Sequence, residues 1–111
     1  MLPLTRKERD DDLALLRSAA VAAGIAALGF FRRDLKTWTK ENASPVSEAD
    51  CIVDEFLADN LLAARPEYGW LSEESEDSDT RLSRERVFVI DPLDGTRSFI
   101  NGEDTWAHSM A

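Results

Sequence analysis

The sequence predicts an α+β chain, with two helices first and three strands after them. Three observations carry that prediction. Residues 13 to 33 repeat apolar side chains at helical spacing. Ser47-Glu48-Ala49-Asp50 reads as a helix start followed by a second apolar stripe. Arg86-Val87-Phe88-Val89-Ile90 is a short run of β-branched and aromatic residues that ends abruptly in Asp91-Pro92-Leu93-Asp94-Gly95-Thr96.

The elements are justified in order. Met1 to Arg9 is polar and is expected to be frayed. Asp10, Asp11 and Asp12 suit the N-terminus of a helix, where the dipole favours negative charge. From Leu13 to Arg33, Leu13, Leu16, Ala20, Ala23, Ala27 and Phe31 fall near one stripe. Small residues dominate this helix, so another element can approach it closely. Asp34 to Ala43 is a polar connector containing Trp38, and the residues before Pro45 must be extended. The second helix takes Ser47 as N-cap and Asp50 at its third position. It runs to about Ala64 and is closed by Pro66, with Ile52, Phe56 and Ala63, and alongside them Leu57 and Leu61, as its apolar face.

Tyr68-Gly69-Trp70-Leu71 is a short strand candidate, followed at once by Ser72-Glu73-Glu74-Ser75. Glu76 to Glu85 has loop composition. Val87 to Ile90 is expected to be a strand buried on both faces and stopped by Pro92. Arg97 to Asn101 reads as a short helical turn ended by Gly102, and Trp106 to Ala111 alternates as a half-buried strand does. The set is thin for a whole domain, which points to the first part of a longer protein.

Bulk composition narrows the function classes. The chain has 111 residues, 43% hydrophobic and 32% charged, an ordinary globular balance. The apolar run from Ala19 to Phe31 is too short to span a bilayer, and no signal peptide is evident. The one cysteine, Cys51, has no internal partner, which fits a reducing cytoplasm, and it is expected to be a small buried residue. The net charge of −9 argues against a nucleic-acid polymer as partner. Charge is also uneven. Residues 1–40 hold eight Lys/Arg against five Asp/Glu, and residues 41–111 hold five against seventeen. An acidic half of this kind can hold an anion only with metal ions or helix N-termini doing the neutralising.

Two carboxylates, Asp91 and Asp94, at the end of a buried strand are costly unless a cation meets them. A hard divalent ion prefers such oxygen ligands. A plain acidic Asp-Gly turn is the competing explanation. If the two central strands pair in parallel, Glu73 arrives at the same sheet edge and joins the set. Gly95 leaves room for a phosphate, at which the N–H groups of Gly95, Thr96 and Arg97 would point. Asp50 is explained by capping its helix; its functional alternative is to orient the hydroxyl of Thr96. His108, the sole histidine, is expected to be structural.

Three ordered segments, Ser44-Pro45-Val46-Ser47-Glu48-Ala49-Asp50, Trp70-Leu71-Ser72-Glu73-Glu74-Ser75 and Asp91-Pro92-Leu93-Asp94-Gly95-Thr96, resemble the N-terminal part of the inositol monophosphatase family. The resemblance implies a layered αβαβα fold and a Mg²⁺-dependent phosphomonoesterase. By it, residues 1–111 are the N-terminal part of one such domain, holding two helices and the first strands, with the C-terminal half absent. It also implies that Glu73, Asp91, the Leu93 carbonyl and Asp94 hold metal, and that Gly95 and Thr96 bind phosphate. Asp50, Glu73 and Thr96 would be catalytic, with Asp50 and Thr96 activating the attacking water.

Lys40-Glu41-Asn42-Ala43-Ser44-Pro45-Val46 resembles the 3′(2′),5′-bisphosphate nucleotidase branch, and Arg97-Ser98-Phe99-Ile100 also occurs in histidinol-phosphatase-like relatives. Ser72 stands where the family usually has Gly, tolerable if the backbone there avoids positive φ. The family's later Trp-Asp motif is missing from the chain. The expected partner is a small phosphorylated substrate, with neither membrane nor nucleic acid, and a homodimer is left open. The alternative function is a catalytically incomplete fragment that serves only as a metal-binding or interaction module.

Overall fold

The computed structural model describes residues 3–111. Helix α1 spans Arg6–Leu28, β1 Thr37–Thr39, β2 Pro45–Ser47 and α2 Glu48–Ala64. Strand β3 spans Gly69–Ser72, β4 Val87–Asp94, α3 Thr96–Ile100 and β5 Ala107–Met110. A 3₁₀ turn, Asp79–Ser83, interrupts the loop between β3 and β4. The architecture is α+β, as expected. A three-stranded sheet of order β3-β4-β5 carries α1 and α2 on one face, and a separate hairpin pairs β1 with β2. No helix among the described residues is long and apolar enough to cross a membrane.

Helix α1 begins seven residues before the predicted Leu13. Thr5 caps it in a full capping box: the Glu8 N–H donates to Thr5 Oγ1 at 3.1 Å, and the Thr5 N–H donates to Glu8 Oε2 at 2.8 Å. Local hydrogen bonding therefore orders the part from Thr5 to Arg9 of a stretch that composition alone marks as frayed, and Met1 and Leu2 lie outside the described residues. The helix ends at Leu28 rather than Arg33, and Arg32 just beyond it has φ of 57°. Its buried line is Ala19, Ala23 and Ala27, while Leu13 is exposed. These small residues let α1 lie close to α2.

Helix α2 has the predicted start and end, but its buried face is turned from the predicted one. Ala49, Val53, Leu57 and Leu61 are buried and Ile52 is exposed. The face is set by what α2 must cover, which is β4. Truncating Leu57, fully buried at 0% exposure, is expected to cost about 2–5 kcal/mol. Asp12 ties α1 to the far end of α2. It accepts from Arg65 Nε at 2.9 Å and from the Tyr68 hydroxyl at 2.6 Å.

Two further expectations fail in the sheet. Strand β4 passes through Pro92 and ends at Asp94, because a bulge against β5 between Asp91 and Asp94 absorbs the missing N–H. Only one face of β4 is buried: Phe88 and Ile90 are inside, whereas Val89 is 49% exposed, since α1 and α2 cover one side alone. The polar connector also contains a strand, β1, whose Trp38 pairs with Val46. Cys51 is exposed rather than buried, because it lies on the solvent side of α2. Trp106 to Ala111 alternates as predicted, with His108 and Met110 turned inward.

Candidate active site

Parallel pairing brings the acidic residues together. Strand β3 runs beside β4 in register Gly69↔Val87 to Ser72↔Ile90, and the Glu73 N–H extends the ladder to Ile90 O at 3.0 Å. Both strands therefore deliver carboxylates to one edge. Glu73, Glu74, Asp91, Leu93, Asp94 and Gly95 line a single cleft of about 320 Å³, together with Thr96 and Lys40.

The bulge aims the Asp91–Asp94 segment. Pro92 and Leu93 are buried while Asp94 is exposed. His108 Nδ1 lies 2.6 Å from Pro92 O. A carbonyl only accepts, so the proton sits on Nδ1. The other ring nitrogen, Nε2, is buried without a partner. His108 is thus structural, as expected, and it pins the bulge.

Gly95 is also required for a reason that the sequence does not show. Its φ is 91°, and a Cβ there would sit 2.5 Å from Thr105 O. The glycine is needed for the close pass of Thr105 and Trp106 and for a left-handed backbone. The turn leads into α3. Phe99 of α3 packs on Trp106 (centroids 5.0 Å apart) and on Phe31 (5.3 Å), which fixes the helix that carries Thr96.

Asp50 is fully buried at the third position of α2. Its Oδ2 accepts from the Ser47 N–H at 2.9 Å and the Ser47 hydroxyl at 2.6 Å. Its Oδ1 accepts from Thr96 Oγ1 at 2.7 Å. Capping and hydroxyl orientation are therefore done by the same carboxylate, one through each oxygen. Thr96 Oγ1 also lies 3.0 Å from Leu93 O. A hydroxyl has one proton, and here both neighbours are acceptors. The lone pairs of the Thr96 oxygen remain free to accept.

Electrostatics separate the acids of this edge. Burial raises the Asp91 carboxyl above the usual aspartate range, and the charges of Asp94 and Glu73 push it further. Burial likewise raises Glu74 and outweighs the pull of Lys40. At Lys40 the balance reverses. Burial lowers it, but the hydrogen bond and charge of Glu74, with Glu73 and Asp50 behind, win and hold it above the ordinary lysine value. Lys40 Nζ donates to Glu74 Oε1 at 2.7 Å and to Glu73 O at 3.0 Å.

None of the ion pairs found among the described residues involves Glu73, Asp91 or Asp94. The donor set suits a hard divalent ion in type: carboxylate oxygens, mutually repelling, beside a main-chain carbonyl. As arranged, no three His, Cys, Asp or Glu side chains among the described residues converge to hold one. Ser72 meets its condition, since its φ is not positive.

Two participants escaped the sequence reading. Lys40 bonds the Glu73–Glu74 turn although 33 residues separate it from Glu73, a distance that no local pattern bridges. Asp54 bonds Ser72 and Ser75, the two serines that flank the glutamates. Its place one helical turn after Asp50 is the signal that identifies it, since residues four apart share a helix face.

Residues 8–111 match the inositol monophosphatase family model. The chain is 39% identical over 104 residues to a protein of Streptomyces griseus named glucose-1-phosphate thymidylyltransferase, covering 94% of this chain and 40% of that one. It is 39% identical over 102 residues to a histidinol-phosphatase of Streptomyces coelicolor, covering 91% and 37%. The crystal structure of the extragenic suppressor protein suhB from Bartonella henselae superposes with a TM-score of 0.83 at 32% identity, over 91% of this chain and 40% of that one. The chain thus spans about two fifths of the length of these relatives. With its three motifs gathered at one sheet edge and its fold shared with suhB, the chain belongs to the inositol monophosphatase family.

Proposed function

We propose that the cleft is the metal- and phosphate-binding part of a Mg²⁺-dependent phosphatase acting on a small phosphomonoester. Family membership supports a phosphatase of small phosphorylated substrates. The observation that carries the finer reading is the unpaired acid cluster of Glu73, Asp91 and Asp94, set beside a Thr96 hydroxyl already bonded to buried Asp50.

Glu73, Asp91, Asp94 and the Leu93 carbonyl would hold Mg²⁺. The ion, when bound, lowers the pKa of a coordinated water and neutralises phosphate charge. The protein's own part is positioning. Thr96 donates its hydroxyl hydrogen bond to Asp50, so the Thr96 oxygen is left to accept from the attacking water and orient it. Gly95 and Thr96 face the phosphate at the start of α3. The protein forms no covalent intermediate in this scheme, and attack is in line. Asp94→Asn tests the assignment: Mg²⁺ dependence and turnover unchanged from the unmodified protein would refute it. The substrate is proposed from the class of inositol monophosphate, 3′-phosphoadenosine 5′-phosphate and histidinol phosphate. Phosphate release from each with Mg²⁺ decides among them.

A second reading has its own observation. Among the described residues no three His, Cys, Asp or Glu side chains converge as placed, which favours a catalytically incomplete module without turnover. Phosphate release by the 111-residue chain would sink it.

A further inference from the structure

Asp54 is buried at 6% exposure on α2, one turn beyond Asp50, and the proposed chemistry makes no use of it. Its two oxygens go to two different serines. Ser72 Oγ bonds Oδ1 and Ser75 Oγ bonds Oδ2. Each serine then accepts a further bond with its lone pairs. The Glu74 N–H donates to Ser72 Oγ at 3.2 Å, and Trp70 Nε1 donates to Ser75 Oγ at 3.2 Å. The four residues between the serines' outer limits are Ser72-Glu73-Glu74-Ser75, so the acidic turn is gripped at both ends from beneath.

We infer that Asp54 is a positioning residue that clamps the Glu73–Glu74 turn into the cleft, and that the clamp requires a carboxylate. Proton bookkeeping gives the reason. Both serine protons point into Asp54, which has acceptors only. That direction leaves serine lone pairs for Trp70 and Glu74. An asparagine in the same place would offer an oxygen to one serine and an N–H to the other. The second serine would have to turn a lone pair toward the amide, and its own proton would lose the acceptor that Asp54 provides. One arm of the clamp should hold and the other loosen. On the opposite side Lys40 bonds Glu73 O and Glu74 Oε1, so the turn is fixed from two directions. Ser72 is central to this arrangement, which a glycine there could not make.

The link to metal rests on the reading of Glu73 as a ligand; the clamp itself does not. Hydrogen exchange on the metal-free chain isolates the clamp. Asp54→Ala should speed exchange of the Glu74 N–H and the Trp70 indole N–H by about tenfold, with α2 and β4 amides unchanged. Asp54→Asn should speed only one of the two. Ser75→Ala, a milder variant, should speed the indole alone, and it keeps the test open if Asp54→Ala does not fold.

Unchanged exchange at both sites in every variant overturns the clamp. Uniform acceleration across α2 and β4 also overturns it, because a residue that only fills the core would act so. Mn²⁺ binding followed by electron paramagnetic resonance then tests the link. Affinity should fall about ten- to a hundredfold in Asp54→Ala and less in Asp54→Asn. Equal Mn²⁺ affinity with a loosened turn overturns the link alone. Absence of Mn²⁺ binding in the unmodified chain refutes the metal reading and leaves the exchange result to judge the clamp.

Discussion

Two sets of carboxylates meet at one edge of the sheet, and they differ in every respect but charge. Asp50 and Asp54 lie one turn apart on α2, buried, with all four oxygens bonded to hydroxyls or an N–H of the same chain. Glu73, Asp91 and Asp94 stand on turns after β3 and within the β4 bulge, and none pairs with a described cation. The first set is satisfied by the protein and builds structure. The second set repels itself, with a Leu93 backbone N–H reaching Asp91, and either protonation or the cation proposed above would relieve that repulsion.

This contrast is open to attack, and the largest expected effect lies in the second set. Replacing Asp91 and Asp94 together by Asn should weaken Mg²⁺ binding beyond the ~10- to 100-fold that loss of an outer partner costs, as read by calorimetry. The metal-free fold should be no less stable, because repulsion is removed. A large loss of metal-free stability would move Asp91 and Asp94 into the structural set.

Asp50→Ala should do the reverse. It breaks the capping box, strands the Ser47 N–H and hydroxyl and leaves the Thr96 hydroxyl with Leu93 O alone, at a cost of about 2–4 kcal/mol in urea unfolding. Metal-free stability equal to the unmodified chain would show that Asp50 is no part of the scaffold.

The pH dependence follows from Asp91 and Glu74, whose carboxyls titrate above their ordinary ranges in the folded chain. The folded state then keeps protons that the unfolded chain has already released. Metal-free stability should therefore rise as pH falls from neutral toward the ordinary carboxylate range, and drop again as pH is restored. Asp91→Asn should flatten this slope in thermal melts. A slope of opposite sign would mean that the cluster is stabilised by something within the chain. The smallest effect is expected at Lys40→Met. Lys40 keeps 28% of its side chain exposed and Glu74 only 7%, but Glu74 can take a proton in place of its lost partner, which keeps the loss at about 1 kcal/mol, the upper end for a partly exposed pair.

Local chemistry was easiest to read. Ser47 and Asp50 announce the start of α2 through a capping box that needs only neighbours in sequence. Thr5 and Glu8 form the same device, yet the stretch reads as frayed, because its charges hide the pattern. Strand β4 is legible up to Ile90 and then misjudged. Pro92 normally ends a strand, and only a partner with a matching bulge lets it continue. The buried face of α2 was also out of reach, since it depends on where β4 lies rather than on the helix's own apolar residues.

For the site, the acids and the Thr96 hydroxyl were visible as residue types at suggestive places. That Asp50 reaches Thr96, 46 residues on, is a property of packing. The sequence by itself determined the α+β class, the capped helices, the motif residues and the family, because these rest on short-range spacing and residue chemistry. The tertiary structure decided which acids are spent and which are free, the burial of one sheet face, and the hold of Asp54 and Lys40 on the Glu73–Glu74 turn. Those outcomes depend on contacts between residues distant along the chain, which exist only once α2 has been laid across β4.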